Sequence, residues 1–225
     1  LNFSPLIISI KVSVIATIIT FFLGIIGARV VVKMKRGKGL VDGIITLPMI
    51  LPPTVVGFFL LLLFGKNSPL GRLLMNFDIS IVFTWVAAVI ASTVVSFPLM
   101  YRTVRGAFED VDSDMIAAAR TLGLSETRIF WKIIVPNVFP SIMAGTILAF
   151  ARALGEFGAT IMIAGNIPGR TQTMAVAVYT AVQSGNRELA YKWVAIICTI
   201  SFASMFLMNY ITSRHVKKNV KRGGL

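Results

Sequence analysis

Five long apolar runs constrain this chain more than anything else in it. They cover residues 6–32, 44–64, 79–101, 136–157 and 189–211, and each reaches the roughly 20 residues that a helix needs to cross the hydrocarbon core of a bilayer. Lipid offers no partner for backbone N–H and C=O groups, so a run of this kind spans as an α-helix that satisfies them internally. A sixth stretch, 173–182, is too short to span and predicts a re-entrant or interfacial helix. Composition agrees. With 56% hydrophobic residues, 14% charged residues and a mean hydropathy of +0.83, a soluble domain would expose large apolar patches and aggregate. No repeat and no low-complexity linker interrupts the chain. The expectation is an all-α membrane protein with five transmembrane helices, built as a single domain over residues 1–225.

The net charge of +13 and the pI near 10.5 call for a reason, and nucleic acid is excluded as that reason. The basic residues are not interleaved with aromatics on a polar surface; they cluster between apolar runs, as membrane topology places them. The loop after the first run holds Lys33, Lys35, Arg36 and Lys38, and the next only Lys66 and Arg72. The third holds Arg102, Arg105, Arg120, Arg128 and Lys132, the fourth Arg170 and Arg187, and the tail Arg214, Lys217, Lys218, Lys221 and Arg222. Rich and poor loops alternate. The rich ones are therefore expected on the cytoplasmic side of a cell membrane, with the N-terminus outside and the C-terminus inside. Glu109, Asp110, Asp112, Asp114 and Glu126 in the third loop count for little in this rule.

The first run lacks a basic leader and a small-x-small cleavage site, so it is expected to be a retained helix rather than a signal peptide. Its Lys11 is expected to snorkel toward the nearer interface. The opening Leu1 is consistent with an alternative start codon or with one or two preceding residues. Cys198, the single cysteine, falls inside an apolar run and is expected to be a buried apolar residue. It has no disulfide partner, and with His215 as the single histidine no Cys/His cluster exists for a metal. A nucleotide-binding loop is also missing: around Gly65–Lys66–Asn67 the first motif glycine falls at Leu60, and Asn67 offers no hydroxyl for Mg²⁺. The chain cannot hydrolyse ATP itself, and the sequence assigns it no cofactor and no catalytic residue.

The third loop, about 102–135, is far longer than a turn between membrane helices requires. Met115, Ile116, Ala119, Leu122 and Leu124 recur at mostly helical spacing beside charged positions. Asp112, Ser113 or Asp114 is placed to cap a first helix. Gly123 breaks that helix and permits a sharp turn. Ser125 with Thr127 and Arg128 opens a second short helix ending near Pro136. A solvated linker and a docking element are the two readings. The small residues Ala117, Ala118 and Ala119, with the glycine turn, favour docking, because small side chains let another surface approach closely.

Two alanines, three residues, a glycine, nine residues and Ile-x-Leu-Pro form the cytoplasmic EAA loop of ABC importer permeases. Ala118, Ala119, Gly123, Ile133, Val135 and Pro136 stand at the corresponding positions. Ala117 replaces the family's usual glutamate, and Val135 its leucine, so the glutamate's loop contacts are not carried over. Four further segments extend the resemblance: Leu47–Pro48 with Leu51 to Gly57, Ser96 to Met100, Ala149 to Thr160, and Asn166 to Gly169. Together they are most similar to the molybdate permease branch, and sulfate permeases share much of the pattern. The resemblance implies a type I ABC importer permease fold with cytoplasmic coupling helices. It implies that Ala117, Ala118, Ala119, Arg120, Gly123 and Pro136 form the ATPase-coupling loop. The implied partners are a second copy of the chain, two ATPase subunits that bind ATP and Mg²⁺, and an extracytoplasmic molybdate-binding protein. The implied cargo is molybdate or tungstate, two dianions of nearly equal size; the alternatives are sulfate or thiosulfate import and, in another class, a channel or a membrane enzyme. A channel needs no long docking loop, and an enzyme requires clustered catalytic side chains that are missing here.

Pro48, Pro52 and Pro53 in the middle of the second run predict a kink, either as a packing feature or beside a pore. Arg152 and Glu156 are spaced i,i+4, share one helix face and are expected to pair. An intramembrane pair of this kind serves either as a structural ion pair near the outer interface or as a contact for cargo. Gly158 is expected to break the helix there. Pro52, Pro53, Arg152, Glu156, Phe157 and Gly158 are therefore the candidate pore and gate residues.

Overall fold

The computed structural model describes residues 2–222, with side chains as far as Tyr210. Leu1, His215 and the side chains of the basic tail (Arg214, Lys217, Lys218, Lys221, Arg222) lie outside the described residues. Eleven α-helices run in the order α1 Ser4–Lys33, α2 Lys38–Ile50, α3 Pro53–Phe64, α4 Pro69–Met75, α5 Trp85–Glu109, α6 Ser113–Thr121, α7 Glu126–Ile129, α8 Val135–Leu154, α9 Gly158–Ala164, α10 Met174–Gln183 and α11 Arg187–Arg222. No strand occurs among the described residues. Four segments are long and apolar enough to cross a membrane: α1, α5, the continuous 126–154 rod and α11. A fifth crossing exists if α2 and α3 count as one span.

The central pair is α1 against α5, the most extensive helix contact in the molecule. Lipid tails are as apolar as leucine, so helices associate in a bilayer through close packing and shared hydrogen bonds. The buried face of α1 is accordingly small and hydroxyl-rich: Ser9, Ser13, Ala16, Thr17, Thr20, Gly24 and Ala28. Ser13 and Thr17 return their hydroxyls to backbone carbonyls one turn earlier, and the hydroxyls of Thr20 and Ser96 meet across the seam at 3.2 Å. Ser9 accepts the backbone N–H of Met174 at 2.8 Å, which ties α10 to α1. At ten residues, α10 does not span, as its length in the sequence indicates.

The second run departs furthest from its expected form. A kink was expected within one helix; instead α2 and α3 are separate helices bent by 110°. Pro48 sits inside α2 without ending it. The break comes at Leu51 and Pro52, both extended (ψ 145° and 134°), and Pro53 opens α3. A residue before proline is pushed out of the helical region, so two successive prolines make Leu51 and Pro52 leave it together. Pro53 is then tolerated at the first helical position, where its missing N–H costs nothing.

The third span starts later than its apolar run, because Thr84 caps α5 by accepting the N–H of Ala87 at 3.3 Å. Residues 79–82 fall instead in a connection pinned through Phe83, whose N–H donates to Ile163 at 3.0 Å. Nor does the loop's second helix end near Pro136. It runs through a π-turn, Phe130–Ile134, straight into α8. The wider turn bonds the Val135 N–H back to the Phe130 carbonyl and accommodates Pro136, which has no N–H to offer a regular ladder. The resulting rod of 29 residues is about 43 Å long at 1.5 Å per residue, longer than a bilayer core. Cys198 is exposed rather than buried: α11 packs chiefly on α8 and α10 and turns this face outward, where apolar surroundings come from outside the chain.

Candidate functional site

The coupling-loop residues and the gate residues lie at opposite ends of α8. At the loop end, Asp112 caps α6 by accepting the N–H of Asp114 at 2.8 Å. Gly123 then turns the chain with φ of +74°, a conformation that β-branched residues rarely adopt. A side chain built there meets nothing within 4 Å. Arg120 and Glu126 close the turn with a two-point ion pair, Nε to Oε1 at 2.7 Å and Nη2 to Oε2 at 3.3 Å. Ala117, Ala118, Arg120, Gly123 and Pro136 are exposed. Ala119 is buried, facing inward rather than presenting itself for docking. Leu122, which the spacing groups with the apolar residues of the loop, is 81% exposed at the tip of the turn.

The loop is anchored by aromatic residues. Phe130 is buried, with the Phe108 ring edge-on at 5.7 Å and the Arg29 guanidinium 3.8 Å from its centroid. These contacts join the coupling helices to the last turns of α1 and α5. Beside them lies a charged corner that the sequence reading did not foresee. Arg105 on α5 pairs with Asp42 on α2 and, at 3.1 Å, with Glu109. Tyr101 donates to Asp42 at 3.0 Å, and Lys38 reaches Glu109 at 2.6 Å. The start of the broken span is therefore tied to the helix that runs into the coupling loop.

At the other end, α8 stops at Leu154 and α9 begins at Gly158. Glu156, in the break, is 2% exposed. Its Oε1 accepts the Ala159 N–H at 2.7 Å, capping α9, where a carboxylate suits the free N–H groups. Arg152 Nη1 lies 2.6 Å from Oε2, an ion-pair contact whose alignment is not that of a hydrogen bond. The expected i,i+4 pair is thus formed. Phe157 stacks obliquely on Tyr179 with 5.0 Å between centroids.

Gly158 does not break the helix; the break precedes it. Its function in packing is close approach: a Cβ there would stand 3.0 Å from Pro53 and 3.1 Å from the Thr54 nitrogen. One turn on, a Cβ on Gly57 would lie 2.8 Å from the Ala159 Cα and carbonyl oxygen. The missing side chains of Gly57 and Gly158 let α3 cross α9 nearly backbone to backbone. Pro53, Glu156 and Gly158 are brought together at this crossing, while Pro52 is exposed beside it.

No group of three or more His, Cys, Asp or Glu residues that could hold a metal ion occurs among the described residues. Comparison with known proteins places this geometry. Residues 20–222 match the profile of the family described as binding-protein-dependent transport system inner membrane component. The chain is 41% identical over 225 residues to the molybdenum transport system permease protein ModB of Escherichia coli (strain K12), covering 99% of this chain and 97% of that protein. It is 47% identical over 208 residues to YvgM of Bacillus subtilis (strain 168), also named for molybdenum transport, with 92% of each covered. Similarity to the sulfate transport system permease protein CysT of Escherichia coli (strain K12) is lower, 32% over 207 residues, covering 92% and 75%. Among solved structures, the MetNI methionine ABC transporter matches with a TM-score of 0.72 at 14% identity, over 93% of this chain and 94% of that one. A bacterial ABC transporter for alginate import matches at 0.78 and 13% identity, over 94% and 78%. The fold is that of type I ABC importer permeases.

Proposed function

This chain belongs to the binding-protein-dependent transport system inner membrane component family, and from that premise we propose that it is the pore-forming permease subunit of an ABC importer for molybdate. The chain is a multi-pass membrane permease component, and ATP hydrolysis belongs to a separate subunit. The observation that carries the coupling half of this reading is the exposed turn of Ala117, Ala118, Leu122 and Gly123, which leads directly into the continuous rod that ends at Leu154. A push on the turn moves that rod as one piece, and the rod's far end meets the α3–α9 crossing. The cargo half rests on 41–47% identity to two permeases named for molybdenum, against 32% to a sulfate permease. Tungstate, a dianion of the same shape, fits the same path.

The assembly is proposed as one permease domain per chain, two chains around the path, two ATPase subunits on the 102–135 loops, and an outer binding protein that delivers the anion. Five crossings enclose too little space for an alternating-access path alone. The N-terminus is placed outside and the C-terminus inside, on the alternation of basic loops. Cysteines replacing Lys38 and Lys66 test this: an impermeant thiol reagent on intact cells should label position 66 and spare position 38. The function itself is tested by reconstituting the chain with the ATPase and binding protein encoded beside it. Molybdate should drive ATP hydrolysis and be taken up in the presence of excess sulfate. Stimulation by sulfate alone would transfer the assignment to the sulfate branch.

A further inference from the structure

The cavity of about 460 Å³ between the first turns of α1, the connection before α5 and the 169–171 loop is lined by Lys11 and Arg170, and by no acidic residue. We propose that it is a binding site for a tetrahedral oxyanion, distinct from the path at Arg152 and Glu156, neither of which lines it. The proposal rests on the topology given above, which puts the cavity on the outer face.

Charge is the first argument. Outer connections are poor in cations under the positive-inside rule, yet one of the few, Arg170, meets Lys11 of α1 at a single cavity. No ion pair to either occurs among the described residues. Lys11 is held rather than neutralised, since its Nζ lies 3.6 Å from the centroid of the Trp85 ring and retains donors for an anion. Arg170 supplies a planar fork that matches two oxygens of a tetrahedral ion. Ser80 adds an exposed hydroxyl.

The second argument is construction. Phe83 forms part of the wall in the left-handed region, with φ of +62°, where an aromatic residue is an outlier. It is fixed there by its N–H bond to Ile163, and its ring closes on Gly165 so tightly that a Cβ would stand 3.0 Å away. On the other side Thr171 is fully buried and accepts the Ile167 N–H at 3.0 Å. Walls so fixed hold the cavity open beside the two cations.

The same chemistry has two sources, an oxyanion released from solution or the phosphate of an anionic lipid headgroup. Trp85 is the reporter, because Lys11 rests on its ring. The full chain in phosphatidylcholine nanodiscs, with Trp131→Phe and Trp193→Phe leaving Trp85 alone, is titrated with sodium molybdate against sodium chloride of equal ionic strength. If Trp193→Phe impairs folding, equilibrium dialysis of radiolabelled molybdate against the native tryptophan set reads the same binding. Saturable molybdate binding that weakens at least tenfold in Lys11→Gln/Arg170→Gln identifies a solution oxyanion. Emission already shifted in phosphatidylglycerol discs, with that lipid copurifying and both effects lost in the double variant, identifies the headgroup. Indifference to both molybdate and phosphatidylglycerol, an equal response to chloride, or binding unchanged in the double variant would overturn the proposal and leave Lys11 a snorkelling residue. Labelling of a cysteine at position 170 by an impermeant reagent checks the topology separately, so a wrong orientation is not confused with an absent site.

Discussion

Two helix joints, α3 on α9 and α2 on α5, are built on opposite principles. At the α3–α9 crossing the two helices meet through what is missing: Gly57 and Gly158 have no side chains, and a methyl group on Gly57 would collide with the backbone of α9. At the charged corner, α2 meets α5 through long side chains, Lys38, Asp42, Tyr101, Arg105 and Glu109, whose charges are matched and partly solvated. A joint of the first kind is intolerant of volume and indifferent to charge; one of the second kind reverses both preferences. The difference suits a coupled machine. The crossing can act as a rigid fulcrum, while ion pairs in a partly aqueous place can be made and remade at small cost.

Volume at the crossing should give the largest effect. Gly57→Val is expected to prevent accumulation of folded protein. Gly57→Ala should cost about 1–3 kcal/mol as overpacking, read as a lower melting temperature in detergent. Gly158→Ala should cost less, because its nearest neighbours stand at 3.0 Å or beyond. If Gly57→Ala melted with the native protein, the crossing would not be the tight joint described.

Charge at the corner comes next. Arg105→Ala leaves Asp42 only its Tyr101 bond and Glu109 only Lys38, and should lower stability by about 1–2 kcal/mol, discounted for their partial exposure. The reversed pair Asp42→Arg/Arg105→Asp should recover part of the loss, whereas no charge change can rescue Gly57→Ala. Failure of that rescue would mean the corner is held by packing, and the contrast would collapse. The smallest effect belongs to Glu188→Gln. It removes the exposed i,i+4 pair with Lys192 and should leave the melting temperature unchanged within error; a measurable drop would show that exposed pairs matter more here than argued.

Much of this was legible in the sequence. Hydropathy length marks the spans, i,i+4 spacing marks the Arg152–Glu156 pair, and Gly123 marks the turn that takes positive φ. What was not legible has physical reasons. Successive prolines say that a helix stops but not where the next one points, so a 110° break was expected as a kink. Close approach at Gly57 comes from an absent side chain, and absence carries no periodicity. Asp42 and Arg105 are 63 residues apart, and both look like ordinary solvated loop charges until α2 and α5 are packed. Leu122 fits the helical spacing of the loop's apolar residues, but α6 ends at Thr121 and the turn swings it outward.

The central claim is that the exposed turn transmits ATPase motion to the rod, and stimulated ATP hydrolysis tests it most directly. Gly123→Val forces a β-branched residue into a positive-φ position, and Ala118→Trp adds bulk on an exposed docking face. Neither touches the hydrocarbon-embedded part, so both variants should insert and accumulate normally. Reconstituted with the ATPase and the loaded binding protein, both should lose stimulated hydrolysis and uptake together. Normal stimulation and normal uptake in both would reduce the turn to a linker and contradict the account.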